Sequence, residues 1–373
     1  MSDGQTPHTE PSPGERIPSR LSRAELAAQT RRDNRNRRVT HILSRTVEEA
    51  GAIAMNPTTF VQAMLPHKER YLLDAQGQRV TIDGVGGKPQ HLLATTYAAT
   101  NGSFTLTIRA GTKRGPNHFH PEVSRGIPFG GLARLLLCYI ITEAQIKKRR
   151  TIDLGATLTD FCERVDITPS GGEHGRIAYV VDQLQRLSTA VVDYRWDTVE
   201  GPHAHQRGES ILFVDSYHFW HCAATPTSEP AEPAPGQAGG GTITLSDRFW
   251  REIVVGSCFP LDFRMAQLFR ARPTAYDLYL WLTYRLSGLE RTGRPEVVVN
   301  YDQLHAQLGS HYRTDEHGEL TASAKKNFGY KVRDAIRAIA AVWPELRVEF
   351  PRGRVVVRST GPDVQTRQAK RAT

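Results

Sequence analysis

The chain has 373 residues, enough for two or three domains, and carries a formal net charge of +9 with a sequence pI of about 9.5. Hydrophobic residues make up 39% of it, the mean hydropathy is -0.44, and no apolar run approaches the roughly 20 residues that span a bilayer. The composition therefore argues against a membrane protein, and the basic balance favours a polyanionic partner. Because the first residues lack the apolar core of a secretory signal, we expect a cytoplasmic protein.

The four cysteines, Cys138, Cys162, Cys222 and Cys258, lie far apart and include no C-x-x-C pair. This spacing indicates neither a disulfide framework nor a structural zinc site. We therefore expect reduced thiols that are mostly buried, and we predict no cofactor and no resident metal.

Residues 1–45 are predicted to be a disordered basic tail, because Pro, Ser, Gly, Thr and Arg dominate them and leave little to bury. Within the tail, residues 31–38 hold five arginines, which either keep the chain in solution or make salt-sensitive phosphate contacts. Further on, alternating apolar and polar residues at 70–82 and 92–108 surround turn signals, the clearer of which is Asn101-Gly102. This pattern predicts a small β annex on the domain that follows.

The first folded unit, predicted over 46–222 with the annex included, has the element order of a winged helix: three helices, a short strand before the second helix, and a hairpin after the third. The predicted elements are a helix at 132–147, a strand at 151–154, a helix from Thr157 to about 165, a helix at 176–187, and strands at 190–196 and 210–220. The loop between the last two strands is polar and rich in Gly, His and Arg.

Residues 223–241, rich in Pro, Gly and Ala, are predicted to be a linker or a disordered loop. The second unit, predicted over 242–360, repeats the plan of the first, and residues 361–373 form a disordered tail. Its predicted elements are a helix after Ser246, a short helix after Pro260, a long helix from Pro273 to about 286, a strand at 296–300, a short helix at 302–308, a long helix at 322–342, and a hairpin of 346–350 with 354–358. The predicted class is therefore α+β, with tandem winged-helix (helix-turn-helix) domains and small β-hairpin wings.

In a winged helix the third helix enters the major groove and the wing contacts the backbone, so this helix needs one apolar and one basic face. In the second unit Phe328, Val332, Ile336 and Ile339 form the apolar stripe. Residues 325–358 hold nine Lys and Arg against three Asp and Glu, a local net charge of +6, whereas an ordinary solvated face mixes signs more evenly. The predicted DNA contacts of this unit are Lys325, Lys326, Asn327, Lys331, Arg333 and Arg337 on the helix, and Arg352 and Arg354 at the wing tip.

The third helix of the first unit has a weaker polar face that is nearer neutral, opposite an apolar stripe of Ile177, Val180, Val181, Leu184 and Leu187 that is expected to pack in the core. Its predicted DNA contacts are His174, Arg176, Tyr179, Gln183 and Arg186, with protein contact and dimerisation as the alternative. Arg pairs with guanine, and Asn or Gln with adenine, so the candidates for sequence readout are Arg333, Asn327 and Gln183. The lysines are expected to contact phosphates, which position the protein without specifying sequence.

Other motifs are weaker. His118 and His120 match the His-x-His metal pair of rolling-circle nickases, but no tyrosine in the chain is followed by the Lys four residues on that such a nucleophile usually has. A group of His218, His221 and Cys222 has metal-like spacing without a second ligand pair nearby. Residues 83–88 resemble a phosphate loop but lack its spacing, so a turn is expected there. We therefore expect a protein without catalytic activity, and keep metal-dependent DNA nicking as an alternative.

The motif Arg-Gly-Ile-Pro-Phe-Gly-Gly-Leu-Ala-Arg at 125–134, and the helix that continues it to 144, resemble the plasmid-encoded RepA family of replication initiators. Further stretches agree in the same order, at 152–158, Gly171-Gly172, 185–187, 245–253, 260–262, 277–286 and 304–309. The resemblance covers roughly residues 60–358, and the ordered series is more specific than any one motif.

The resemblance implies a plasmid initiator that binds direct repeats (iterons) in double-stranded DNA at its origin and helps open an adjacent A·T-rich segment. It implies recruitment of the host replication initiator and replicative helicase, repression of its own gene, and a homodimer in equilibrium with a monomer. No membrane partner is expected. A purely transcriptional repressor is the other alternative. The charge distribution makes the second unit the expected main DNA reader, and the first unit the better candidate for dimerisation.

Overall fold

The computed structural model describes residues 23–364, with gaps at 46, 172–174, 201–202, 221–239, 309–311 and 313–318. The helices are α1 (Arg23–Ser44), α2 (Thr59–Gln62), α3 (Gly130–Lys147), α4 (Leu158–Arg164), α5 (Arg176–Ser188), α6 (Asp247–Phe249), α7 (Phe263–Phe269), α8 (Pro273–Thr292), α9 (Tyr301–Gln307) and α10 (Ala322–Ala340). The strands are β1 (Ile53–Pro57), β2 (Thr81–Asp83), β3 (Pro89–His91), β4 (Thr96–Asn101), β5 (Phe104–Arg109), β6 (Thr112–Asn117), β7 (His120–Ser124), β8 (Thr151–Gly155), β9 (Val191–Glu200), β10 (His203–Leu212), β11 (Val214–His218), β12 (Gly241–Leu245), β13 (Cys258–Asp262), β14 (Glu296–Asn300), β15 (Val348–Glu349) and β16 (Arg354–Arg358).

The chain is a mixed α and β protein in which helices pack with small antiparallel sheets. Most predicted elements occur within a few residues of their expected bounds, because their start signals are local. Thr157 accepts a hydrogen bond from the Asp160 amide while the Asp160 side chain accepts one from the Thr157 amide, which is a capping box at the start of α4. Ser246 caps α6, which continues as a π-helical segment to Val255.

The β annex and the hairpin of the first unit form one sheet, in the order β10-β9-β5-β4. The β4–β5 turn consists of Gly102 and Ser103, one residue later than the Asn101-Gly102 signal predicts, because Asn101 ends β4 and pairs with Phe104. Gly102 has a φ of 59°, and Phe104 of β5 also pairs with Trp196 of β9. The prediction of a polar loop between residues 196 and 210 is therefore wrong, since β9 and β10 extend through most of this segment. Pairing of β9 with both neighbours satisfies the backbone of a stretch whose side chains are too polar to indicate strands.

The predicted boundary between the two units does not coincide with a break in the fold. Residues 242–245 are predicted to belong to the second unit, but they form most of β12. This strand pairs with β11 on one side and β8 on the other, so it lies within the first unit. Strand β1 of the annex pairs with β13 of the second unit, with Ile53 opposite Asp262. The buried apolar residues of both units belong to one continuous core. The two units therefore interlock.

A buried ionic cluster lies where the two units meet. Asp277 of α8 has no exposed surface and accepts hydrogen bonds from Arg134 of α3, with Arg134 Nη2 at 2.9 Å from Asp277 Oδ2. His67 Nε2 lies 2.7 Å from the same oxygen, and Arg134 also donates to the carbonyl of Gly130. Burial is the largest single influence on the pKa of Asp277 and would raise it, but the charges and hydrogen bonds of Arg134 and His67 together outweigh burial and leave the pKa below its ordinary value. The ionised carboxylate thus ties α3 to α8.

Both predicted tails are partly structured. Residues 23–44 form α1, whose Ile42 is buried and whose Val39 packs against the core. Arg264 of α7 donates to the carbonyls of His41 and Arg45 at the end of this helix, which offsets the carbonyls left unpaired there. The prediction of disorder is wrong for residues 23–44. Their few apolar residues have helical spacing, and these are enough to hold the helix against the protein because α7 covers them. Residues 1–22 lie outside the described part.

At the other end, Asp363 accepts hydrogen bonds from the hydroxyls of Tyr279 and Thr283, and Val364 is buried. Burial raises the pKa of Asp363 to about 7. Residues 361–364 are therefore docked on α8, contrary to the predicted tail, and 365–373 lie outside the described residues.

Candidate nucleic-acid interface

Helix α10 has the two faces that its sequence predicts. Phe328, Val332 and Ile339 are fully buried, and Ile336 is nearly so. The opposite face is open to solvent, and Tyr330 in its middle is 66% exposed. This face also carries the exposed carboxylate of Asp334, which is paired with Arg272 at the start of α8. Its other exposed polar and aromatic side chains are Lys326, Asn327, Tyr330, Lys331 and Arg337. These five form a cationic ridge, which is the name used for them below.

Two further predicted contacts of α10 lie at the edge of the cationic ridge and have internal partners. The Lys325 ammonium lies 2.7 Å from Asp302 Oδ2, and Arg333 is half-buried and donates from Nη1 to the Tyr301 hydroxyl at 3.1 Å. Sequence reasoning missed Tyr301, which also explains Gly329 inside a helix. A Cβ on Gly329 would lie 2.6 Å from a Tyr301 ring carbon, so only glycine lets the ring pack against α10.

The hairpin predicted to be a wing is present and is fixed to α9; it is called the wing below. Strands β14, β16 and β15 form a three-stranded antiparallel sheet, and Arg352 and Arg354 are exposed at the β15–β16 turn. Gly353 in this turn has a φ of 73°, and its carbonyl accepts a hydrogen bond from the Tyr301 amide. Tyr301 therefore contacts α10 through its ring and the wing through its backbone. It holds the two basic elements in one arrangement.

The face predicted on α5 is largely covered. Gln183 has no exposed surface, accepts a hydrogen bond from the Phe129 amide at 3.0 Å and donates to Asp182. Arg186 is 5% exposed and forms ion pairs with Glu69 at 2.6 Å and Asp182 at 2.8 Å. The assignment of Gln183 and Arg186 to DNA is therefore wrong.

The buried face of α5 is rotated from the predicted stripe. Ile177 and Val181, expected in the core, are only partly buried, whereas Gln183 and Arg186 face the segments that precede α3. Of the predicted contacts, Arg176 is exposed and Tyr179 is 39% exposed. His174 lies outside the described residues.

The other candidate motifs form no site in the part of the chain that the structure describes. His118 and His120 flank the β6–β7 turn, where Phe119 is 77% exposed. Within the described ranges, no group of three or more His, Cys, Asp and Glu is arranged to hold a metal ion. His221 and Cys222 lie outside those ranges. Residues 83–88 form the predicted turn. Burial raises the pKa of the Cys138 thiol to about 12, as expected of an inert buried cysteine.

Residues 127–303 match the family model described as "Plasmid encoded RepA protein". The matched segment begins just before α3 and ends within α9, so α10 and the wing follow it. No curated protein sequence matches the chain. No helix among the described residues is long and apolar enough to cross a membrane.

Two solved structures of RctB domains 2 and 3 are similar to the chain at 12% sequence identity. One, a selenomethionine derivative, has a TM-score of 0.42 and aligns with 83% of this chain and 99% of its own. The other has a TM-score of 0.34, with coverage of 81% and 97%.

Proposed function

Because residues 127–303 match the family model of the plasmid-encoded RepA protein, we propose that the chain is a plasmid replication initiator and that it binds direct repeats in double-stranded DNA at a plasmid origin. The cationic ridge of α10 is the observation that carries this proposal. An exposed helical face with four cations or amides around one tyrosine offers phosphate contacts together with side chains that reach base edges.

The dimensions of the second unit suit a duplex. From Lys326 to Arg337 the ridge extends over about 16 Å of helix, at roughly 1.5 Å per residue, and B-DNA's major groove, about 12 Å wide, admits one α-helix. Arg352 and Arg354 at the wing tip are available for the flanking backbone. We therefore assign α8, α9 and α10 with the β14–β16–β15 sheet to a winged helix whose third helix reads the groove.

Within this proposal the two units have different tasks. The first keeps Arg176 and Tyr179 as auxiliary DNA contacts, and its remaining surface serves dimerisation. The repeats, once occupied, promote opening of an adjacent A·T-rich segment and recruit the host replication initiator and helicase. Binding near the protein's own promoter represses its gene. In this proposal the protein acts by binding DNA and proteins, without catalysis.

Footprinting on the DNA that flanks the gene tests the proposal directly. We expect protection of direct repeats spaced by about two helical turns, and loss of protection when Lys326, Lys331 and Arg337 are all changed to Gln. A protein that protects no repeat, or a triple variant that footprints like the wild type, contradicts it.

Two companion assays separate the alternatives. Incubation of a supercoiled plasmid with the protein and Mg²⁺ or Mn²⁺ should leave the plasmid intact, whereas a nick that depends on His118 and His120 establishes a nicking enzyme. Deletion of the gene should abolish plasmid maintenance and a copy in trans should restore it. If plasmid maintenance is unaffected by the deletion, the purely transcriptional repressor is the alternative that remains.

A further inference from the structure

Helix α1 and the segments it packs against form an arginine-lined cavity apart from the cationic ridge. The cavity has a volume of about 300 Å³, and α1 contributes Arg37, Arg38 and His41 to it. Asp166, in the turn after α4, is the acidic residue in its lining. Arg264 also lines the cavity, but Asp262 neutralises it through bidentate hydrogen bonds. Arg37 and Arg38 thus face one carboxylate, and the lining carries a net positive charge.

Asp166 is shared between two arginines. Arg38 of α1 forms an ion pair with its carboxylate, and Arg270, from the turn between α7 and α8, approaches the same oxygen at 3.4 Å. Arg270 also donates to the Asp166 backbone carbonyl. Asp166 holds this position with a φ of 56°, a left-handed conformation that is uncommon outside glycine, Asn and Asp. One carboxylate thus faces two guanidinium groups and neutralises one of them.

The same arginines are close to the exposed start of α5, because Arg176 Nη1 donates at 3.5 Å to the carbonyl of Thr168, two residues after Asp166. Burial lowers the pKa of the Arg270 guanidinium from its ordinary value, and the charges of Arg38 and Arg176 lower it further. Arg176 is one of the two α5 contacts that stay exposed. The arginines at 38, 176 and 270 therefore form one electropositive area, called the arginine junction here, which continues the proposed DNA surface of the first unit.

We propose that the arginine junction binds a backbone phosphate of the same duplex that the second unit reads. In the free protein Asp166 occupies the guanidinium groups, and in the complex a phosphodiester takes its place as their hydrogen-bond acceptor. Arginine suits this exchange because its planar fork pairs with carboxylate and phosphate in the same bidentate geometry. The inference rests on the proposed function, and it makes α1 part of the DNA interface.

The proposal predicts opposite changes in DNA affinity for substitutions of the arginines and of the acid between them. Arg38→Gln or Arg270→Gln should weaken binding to specific and random duplexes alike, about three- to tenfold, and reduce the slope of log K against log salt by about 0.9. Asp166→Asn should strengthen binding about two- to fivefold, because it releases both guanidinium groups. Asn tolerates the left-handed conformation of this position, so the fold is kept.

The matched control is Arg150→Gln. Arg150 forms an ion pair with Asp215 whose side-chain exposures, 37% and 47%, resemble the 32% and 47% of Arg38 and Asp166. Arg150 lies just beyond the C-terminal end of α3. Tyr179 of α5 lies beside Gly130, at the N-terminal end of the same helix, so the length of α3 separates it from Arg150. Affinities would be measured by fluorescence anisotropy on the full chain at several salt concentrations, with thermal melts of each variant.

The outcomes distinguish this inference from the proposed function. Opposite shifts for Asp166→Asn and Arg270→Gln, with Arg150→Gln unchanged, support the arginine junction. Suppose that the wild type binds the repeats and the α10 triple variant does not, while the Asp166 and Arg270 variants bind like Arg150→Gln. The arginine junction is then refuted and the proposed function stands. Weaker binding by Asp166→Asn in a normally folded protein also overturns the junction, because a merely structural ion pair gives that sign. A wild type without DNA affinity refutes both.

Discussion

Helices α5 and α10 occupy the same place in the order of their units, yet their polar faces have opposite surroundings. On α10 the polar side chains form an exposed cationic ridge, and the apolar stripe is buried as its spacing indicates. On α5 the polar side chains Gln183 and Arg186 are buried and paired within the protein. The difference shows that amphipathic spacing identifies the face that packs first, and leaves open whether a second neighbour covers the other face.

The largest expected effect concerns the buried face of α5. Arg186→Ala removes the partner of Glu69 and Asp182 and leaves both acids without their cation. We expect the free energy of unfolding to fall by about 3 kcal/mol, because two charge-assisted hydrogen bonds of a buried guanidinium are lost, each worth about 1.5 kcal/mol or more, while the two acids keep access to water. Chemical denaturation measures it. The salt dependence of DNA binding should stay unchanged under conditions where the variant is folded, and a reduced salt slope would return Arg186 to the DNA surface.

The complementary experiment on α10 should affect binding and spare stability. Changing Lys326, Lys331 and Arg337 together to Gln removes three exposed cations, which should lower the salt slope by about 2.7 and the affinity about 100-fold at moderate salt. The free energy of unfolding should change by no more than about 0.5 kcal/mol per site, since the side chains are exposed. Anisotropy titrations and denaturation of the same preparations give both values. A stability loss matching that of Arg186→Ala would erase the contrast between the helices.

Arg333 tests readout at the edge of the cationic ridge. Arg333→Ala should cost about 1–3 kcal/mol of discrimination between the repeat and random DNA, whereas Lys326→Ala should weaken binding to both alike. Because Arg333 also donates to the Tyr301 hydroxyl, Tyr301→Phe is the matched control that removes only the internal bond. Competition titrations with specific and random duplexes separate the cases. Equal losses on both DNAs would make Arg333 a positioning contact.

The smallest effect concerns the turn of the wing. Gly353→Ala places a side chain at a φ of 73° and should destabilise the fold by about 1 kcal/mol while displacing Arg352 and Arg354. Gly288, inside α8, has open space around its Cβ position, so Gly288→Ala should stabilise by about 0.5–1 kcal/mol instead. Thermal melts give the two signs. A neutral Gly353→Ala with unchanged DNA affinity would remove the wing from the interface.

Much of the fold was predictable because its signals are local. The cap at Thr157, the stripe on α10, and strands β14 and β16 depend on neighbours within a few residues, and the structure has them at or near their predicted bounds. Most of the candidate contacts on α10 and the wing are exposed for the same reason. Periodicity separates the two faces of α10, and the five side chains of the cationic ridge on the polar face are exposed in the part of the chain that the structure describes.

Contacts between distant segments decided the rest. Pairing of β5 with β9 turned a polar loop into strand, β12 joined the first unit, and α7 ordered a helix within an arginine-rich tail. The polar face of α5 is buried because Glu69 and the segment before α3 supply partners for Arg186 and Gln183, which offset the cost of desolvation. By itself the sequence determined that the chain is basic, and it predicted two units of similar element order. Only the tertiary structure decided which unit leaves its polar helix face in solvent, because that depends on partners more than 50 residues away along the chain.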